Sequence, residues 1–181
     1  MSPLLTGVLA SQISGHLNTF TLTGAMDALA TVTVPSGGVS SITFSALPQT
    51  GYSHLQLRSF ILSSSTASSG TLLLNGTGGV THWLSGNGST PSAAYDGTTM
   101  YLPLVQGSTT SGFGGVTDIL DYASTNKNKT VRTLGGFDAN GSGYVNLTSN
   151  LWSNTAAINT ITINAVGTFN QYSQFSLYGI K

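Results

Sequence analysis

The chain contains no glutamate, and only ten of its 181 residues carry a formal charge: Asp27, Asp96, Asp118, Asp121, Asp138, Arg58, Lys127, Lys129, Arg132 and Lys181. An average domain is about 25 % charged. Long charged side chains are what solvent-facing helices are made of, and here they are nearly absent. The polar residues are instead mostly 26 Thr and 25 Ser, accompanied by 23 Gly. Threonine suits a pleated surface, while Gly, Ser and Asn supply turns. These proportions predict an all-β protein.

Apolar residues make up 39 % of the chain, enough to rule out a disordered tail and to furnish one domain's core. The net charge is zero, and no basic stripe offers a nucleic-acid surface. No apolar run reaches the ~18 residues of a membrane span. Residues 1–10 place no Lys or Arg ahead of their short apolar run, so no cleaved signal is expected. Cysteine is absent, which fits folding in a bacterial cytosol better than a host secretory pathway. Triplets such as Asn75-Gly76-Thr77 and Asn140-Gly141-Ser142 match the glycosylation pattern but are expected to stay bare.

Residues 1–24 differ from the rest. Leu4, Leu5, Val8, Leu9 and Ile13 are loosely spaced for one helix face, and Pro3, Gly7 and Gly15 interrupt them. This segment reads either as an arm that packs on a neighbouring subunit or as a first strand of the domain. Residues 25–181 form the domain proper. Strands are expected at Ala30–Val34 with Ser41–Phe44 as its hairpin partner, at His54–Ser63, and at Thr71–Leu74 turning through Asn75-Gly76 into Val80–Leu84. Thr99–Val105, Gly115–Tyr122, Thr130–Phe137, Tyr144–Asn150, Thr160–Val166 and Gln174–Ile180 follow, with loops expected at 85–98 and 107–112. Unbroken alternation in Thr160-Ile161-Thr162-Ile163-Asn164-Ala165 marks one core face and one polar face. About ten such strands predict an antiparallel β-sandwich, jelly-roll-like as first choice and immunoglobulin-like as second.

Half of the charges lie between Asp118 and Arg132. A hairpin turning through Ser124–Lys127 would bring Asp121 near Lys129 and Asp118 near Arg132. Such exposed pairs contribute about 0.2–1 kcal/mol and help to fix register. Asp138-Ala139-Asn140-Gly141-Ser142-Gly143 resembles the front of a calcium loop, but Ser149 stands where the bidentate glutamate belongs. A hairpin turn explains the same residues, so no metal is expected. His16, His54 and His82 lack ligand spacing, and there is no Gly-x-Ser-x-Gly elbow or cysteine nucleophile. No cofactor and no catalytic residue are predicted. Trp83 and Trp152 are expected in the core, and Tyr95, in a loop-rich stretch, is the candidate contact for a glycan.

Three stretches carry a family resemblance: Gly37–Phe44 through Tyr52–Arg58, Asp118–Arg132 centred on Asp121-Tyr122-Ala123-Ser124-Thr125-Asn126-Lys127, and Phe175–Lys181. Together they resemble small virion structural proteins of tailed bacteriophages, both capsid decoration proteins and fibre-tip modules. The resemblance implies a jelly-roll-like sandwich on the virion surface, made in the host bacterial cytoplasm, with no catalytic residues to carry over. It makes a capsid decoration (cement) protein the first expectation. Such a protein would be a homotrimer that holds the major capsid protein or another virion protein through the arm and the sandwich base. The alternative is a receptor-binding tip of a tail fibre, with loops 85–98 and 107–114 contacting host glycans. Neither role involves nucleic acid, membrane or enzymatic activity.

Overall fold

The structure, a computed structural model, describes residues 24–64, 68–105, 108–138 and 140–181. The arm expected at 1–24, with Leu4, Leu5, Val8, Leu9 and Ile13, lies outside the described residues except for Gly24. Twelve strands and no helix occur among the described residues. They are β1 (Met26–Thr33), β2 (Val39–Phe44), β3 (His54–Ser63), β4 (Ser68–Leu74), β5 (Val80–Gly86) and β6 (Pro91–Asp96), then β7 (Tyr101–Val105), β8 (Ser108–Ile119), β9 (Lys129–Asp138), β10 (Gly143–Trp152), β11 (Ile161–Phe169) and β12 (Gln174–Ile180).

All pairings are antiparallel, and they form two layers of unequal size. The long layer runs β6-β5-β10-β9-β8-β3-β12-β1, and the short one runs β2-β11-β4-β7. The layers join at one corner, where Phe169 of β11 pairs with Ser63 of β3. Between them, Leu55, Leu57, Ile119 and Val131 of the long layer pack with Leu72, Leu74, Ile161 and Ile163 of the short one in a single buried cluster. The alternation in β11 does what it predicts: Ile161 and Ile163 are buried, and Thr162 is turned away from the core.

Two expected hairpins are not formed, although their turns are. Ala30–Val34 belongs largely to β1, which pairs with β12, whereas Ser41–Phe44 lies in β2 and pairs with β11. Gly37 and Gly38 take positive φ (92° and 71°) and carry the chain from one layer to the other. A Cβ on Gly38 would come within 2.7 Å of the Phe169 carbonyl, so this crossing passes hard against β11. Likewise, Asn75 and Gly76 (φ 49° and 79°) make a tight turn closed by hydrogen bonds between Leu74 and Thr77. Asn75 Oδ1 then accepts the amides of Asn159 and Thr160, which holds the turn on the short layer. The chain leaves it into β5 of the long layer.

The segments expected as loops are partly strand. Residues 85–98 contain the end of β5 and all of β6, and 108–112 open β8. Strand β6 has no core signature because every side chain from Pro91 to Tyr95 is exposed. It is an edge strand held by backbone pairing to β5, and turn-type composition does not forbid that.

Candidate functional site

The turn after β8 holds the first cluster of predicted residues. Asp121 sits there with φ 51°, and its carboxylate pairs with Lys127 at 2.7 Å, not with Lys129 as expected. His54, at the start of β3, accepts the Asp121 amide on Nδ1 at 2.9 Å. The Lys127 ammonium holds the Asp121 carboxyl below the ordinary carboxylate value. Lys129 goes inward instead. Its side chain is fully buried, donates to the carbonyls of Lys127 (2.7 Å) and Thr155 (3.1 Å), and lies 5.9 Å from the Trp152 ring. Burial pushes its pKa down. The spacing of charges could not distinguish these lysines; the inward parity of Lys129 with Val131 and Thr133 could.

Asp118 and Arg132 do stand opposite each other across the β8–β9 ladder. The hydrogen bond on Asp118, however, comes from Gln56 Nε2 on the next strand (2.9 Å). At the calcium-like stretch, Asp138 Oδ1 accepts the Asn140 amide at 2.8 Å, and Asn140 and Gly141 have positive φ. Those residues make a turn between β9 and β10. Among the described residues, no group of three His, Cys, Asp or Glu side chains converges for a metal. Trp152 is buried and donates from Nε1 to Thr77, while Trp83 is half-buried against Tyr101. Tyr95 is exposed on β6, its ring 4.6 Å from that of His82.

The feature that sequence reasoning missed lies on the other side of the long layer. On β10 and β5 the usual polarity is largely reversed, and on β8 and β9 it is reversed locally at Thr117 and Thr133, beside the buried Ile119 and Val131. Facing inward are Thr81, Thr117, Thr133, Asn146, Thr148 and Asn150, all buried. Thr117 and Thr133 bond each other at 2.9 Å, and Thr81 donates to the Thr99 carbonyl at 2.7 Å. Asn146 Oδ1 and Thr148 Oγ1 have no hydrogen-bond partner among the described residues. Facing outward are Leu84 (54 % exposed), Leu134 (57 %), Val145 (63 %) and Leu147 (48 %).

The register turns these outward residues into continuous lanes running across the strands. Arg58, Val116, Leu134, Leu147, Leu84 and Ala93 stand directly opposite one another in turn across six adjacent strands. One step along the strands, Phe60, Gly114, Gly136, Val145, Gly86 and Pro91 form the neighbouring lane. The first lane is an apolar ridge. The second is a trough between Phe60 at one end and Pro91 at the other: three of its six members have no side chain, a Cβ built on Gly114 or Gly86 meets nothing within 4 Å, and the position of a Cβ on Gly136 is closed by the Tyr144 carbonyl. The trough opens into a depression of about 590 Å³ bounded by Gly86, Asp138, Gly143 and Tyr144.

A face of this kind has no chemistry of its own. It offers area that water hydrates poorly: each fully buried Leu or Val contributes about 1.5–3 kcal/mol over leaving it exposed. Single exposed leucines are commonplace, but an apolar lane five strands wide is a surface suited to another protein. Compared with protein-family models, curated proteins and solved structures, the chain has no significant match.

Proposed function

We propose that the chain is a structural subunit of a tailed-bacteriophage particle, a decoration protein on the outer head, and that the outward face of the long layer is its assembly surface. The observation that carries this reading is the outward apolar lane across β8, β9, β10 and β5 and the reversed polarity of β10, with Leu84, Leu134 and Leu147 in water and Asn146, Thr148 and Asn150 inside. Near-absence of charge supports it, since such a surface is buried in an array without desolvating many ions. The family resemblance supplies the particle. The role is mechanical: a homo-oligomer bridges neighbouring capsid subunits and adds contact area that resists internal pressure. Residues 1–24 serve as the anchoring arm. Counting copies of the chain in purified native particles tests the proposal. Hundreds per particle, on the order of the number of capsomers in a symmetric shell, is the expected result. Absence from the particle refutes it. Removal of residues 1–24 is expected to leave the sheets folded and abolish attachment, and normal decoration by the truncated protein refutes the arm.

A second reading has one observation in its favour. Tyr95 and His82 stack on an exposed edge next to Ala93 and Leu147, beside an open depression of about 520 Å³. An exposed ring on a flat edge is the kind of platform on which a sugar stacks. On this reading the chain is a fibre-tip module that contacts host glycans. Binding to host lipopolysaccharide that Tyr95→Ala abolishes is its test, together with a copy number in the tens or fewer.

A further inference from the structure

We propose that the occupant of the outer face is a second copy of this chain, turned over about a two-fold axis that runs across the strands between ridge and trough. The inference rests on reading this face as an assembly surface and goes on to name its partner. A two-fold axis lying in the interface, parallel to the two lanes and midway between them, exchanges them. The ridge of each copy then lies in the trough of the other. Val116 meets Gly114 of the second copy, Leu134 meets Gly136, and Leu84 meets Gly86. On β10 the trough holds Val145, smaller than the Leu147 it receives. On these four central strands each larger residue therefore faces a smaller one.

The same operation tests itself on charge. The centre of symmetry on β9 falls at Gly135, so residues equally spaced on either side are brought together. Arg132 lies three residues before it and Asp138 three after, and both are exposed on the outward face. Each Arg132 thus meets an Asp138 of the other copy, giving two opposite-charge contacts at the rim of an apolar centre. Strand β9 is near the middle of the six, where two twisted sheets packed at about 30° diverge least. On β3, at the edge of the contact, Arg58 faces Phe60 of the second copy while its guanidinium lies 5.2 Å from the Tyr178 ring of its own chain.

The area is sufficient. Three outward rows cross all six strands and a fourth is present at Asp138 and Gly143, so at ~4.8 Å between strands and ~6.7 Å between rows the flat footprint is about 640 Å². That reaches the lower end of the range for specific stable interfaces, which bury about 600–1,000 Å² per partner. A two-fold contact of this kind differs from the threefold arrangement expected from the family resemblance.

Sedimentation equilibrium of the full-length purified chain tests the inference. The expected species has twice the chain mass. Gly114→Leu and Gly86→Leu put a side chain into the trough at positions where a Cβ meets nothing within 4 Å and φ is not positive, so they are expected to leave the fold of the isolated chain intact. Each is expected to weaken self-association by at least tenfold. Arg132→Asp and Asp138→Arg are each expected to weaken it, and the two together to restore it. A monomer, a trimer, or a dimer indifferent to all of these changes overturns the inference. The virion reading stands apart from this result: a chain abundant in particles but monomeric in solution overturns the two-fold contact alone. A dimer that behaves as described, from a chain missing in particles, overturns only the virion reading.

Discussion

Leu147 stands directly opposite Leu134 across the β9–β10 ladder, and both side chains point away from the core into solvent. Leu84 continues the contact on β5. In a free monomer each is about half exposed and contributes about half of what a fully buried leucine does. Leu134→Ser combined with Leu147→Ser is therefore expected to change the unfolding free energy of the isolated domain by no more than about 3 kcal/mol. A buried pair would lose far more, about 2–5 kcal/mol for each truncation. Urea denaturation distinguishes the two, and the same variant is expected to lose assembly.

Lys129 is the one charged side chain in the buried set. Lys129→Met keeps the stem over Trp152 and removes the donor that satisfies the Lys127 and Thr155 carbonyls. Leaving those groups unpaired is expected to cost about 1–3 kcal/mol. Denaturant midpoints of the two proteins, compared at equal slope, measure it. No loss would mean that water replaces the ammonium.

Asp121 combines an exposed ion pair with a left-handed backbone. Asp121→Asn keeps a residue that tolerates φ 51° and removes only the charge, so a loss below about 1 kcal/mol is expected. Asp121→Val adds the steric penalty of a β-branched residue in that region, a further ~1–2 kcal/mol. Equal losses for the two variants would contradict the account of this turn.

Three carboxylates have pKa values below the ordinary 3.8: Asp27 through Lys181 and then Tyr52, Asp96 through the Thr98 amide and then Tyr101, and Asp121 through Lys127. In each case the unfolded chain takes up the proton more readily than the folded one. Their stabilisation is complete above the ordinary carboxylate range and is lost as pH falls below 3.8 through the depressed values. Stability is expected to be flat from neutral pH down to about 5 and to fall more steeply below 4. Asp27→Asn is expected to make that acid limb shallower, as thermal melts across the range will show. An unchanged limb would mean that the Lys181–Tyr52–Asp27 cluster is not formed in solution.

The all-β class was legible because composition and alternation pointed the same way, and β11 and β12 lie close to where the pattern puts them. Which strands pair was not legible at Pro35–Gly38 or Asn75–Thr77. A tight turn there obeys local chemistry, but the layer that the following strand joins depends on distant partners, Phe169 in one case and β10 in the other. The outer face was hidden by an assumption. In Tyr144–Asn150 the apolar residues Val145 and Leu147 alternate with Asn146, Thr148 and Asn150, and apolar positions are ordinarily assigned to the core. Yet Trp152, expected inside, shares parity with the polar set. Carrying that parity back along the strand turns Leu147 outward. One buried tryptophan therefore held more information about this strand than its hydrophobicity pattern.

The proposed assembly role is tested most directly by an electron cryomicroscopy map of the virion proposed to carry this chain, with the chain located in it. The outward face of β8, β9, β10 and β5 is expected to be covered by protein, with Leu84, Leu134 and Leu147 at the centre of the contact. A map in which that face is open to solvent, while the chain is held through its other surfaces, would contradict it.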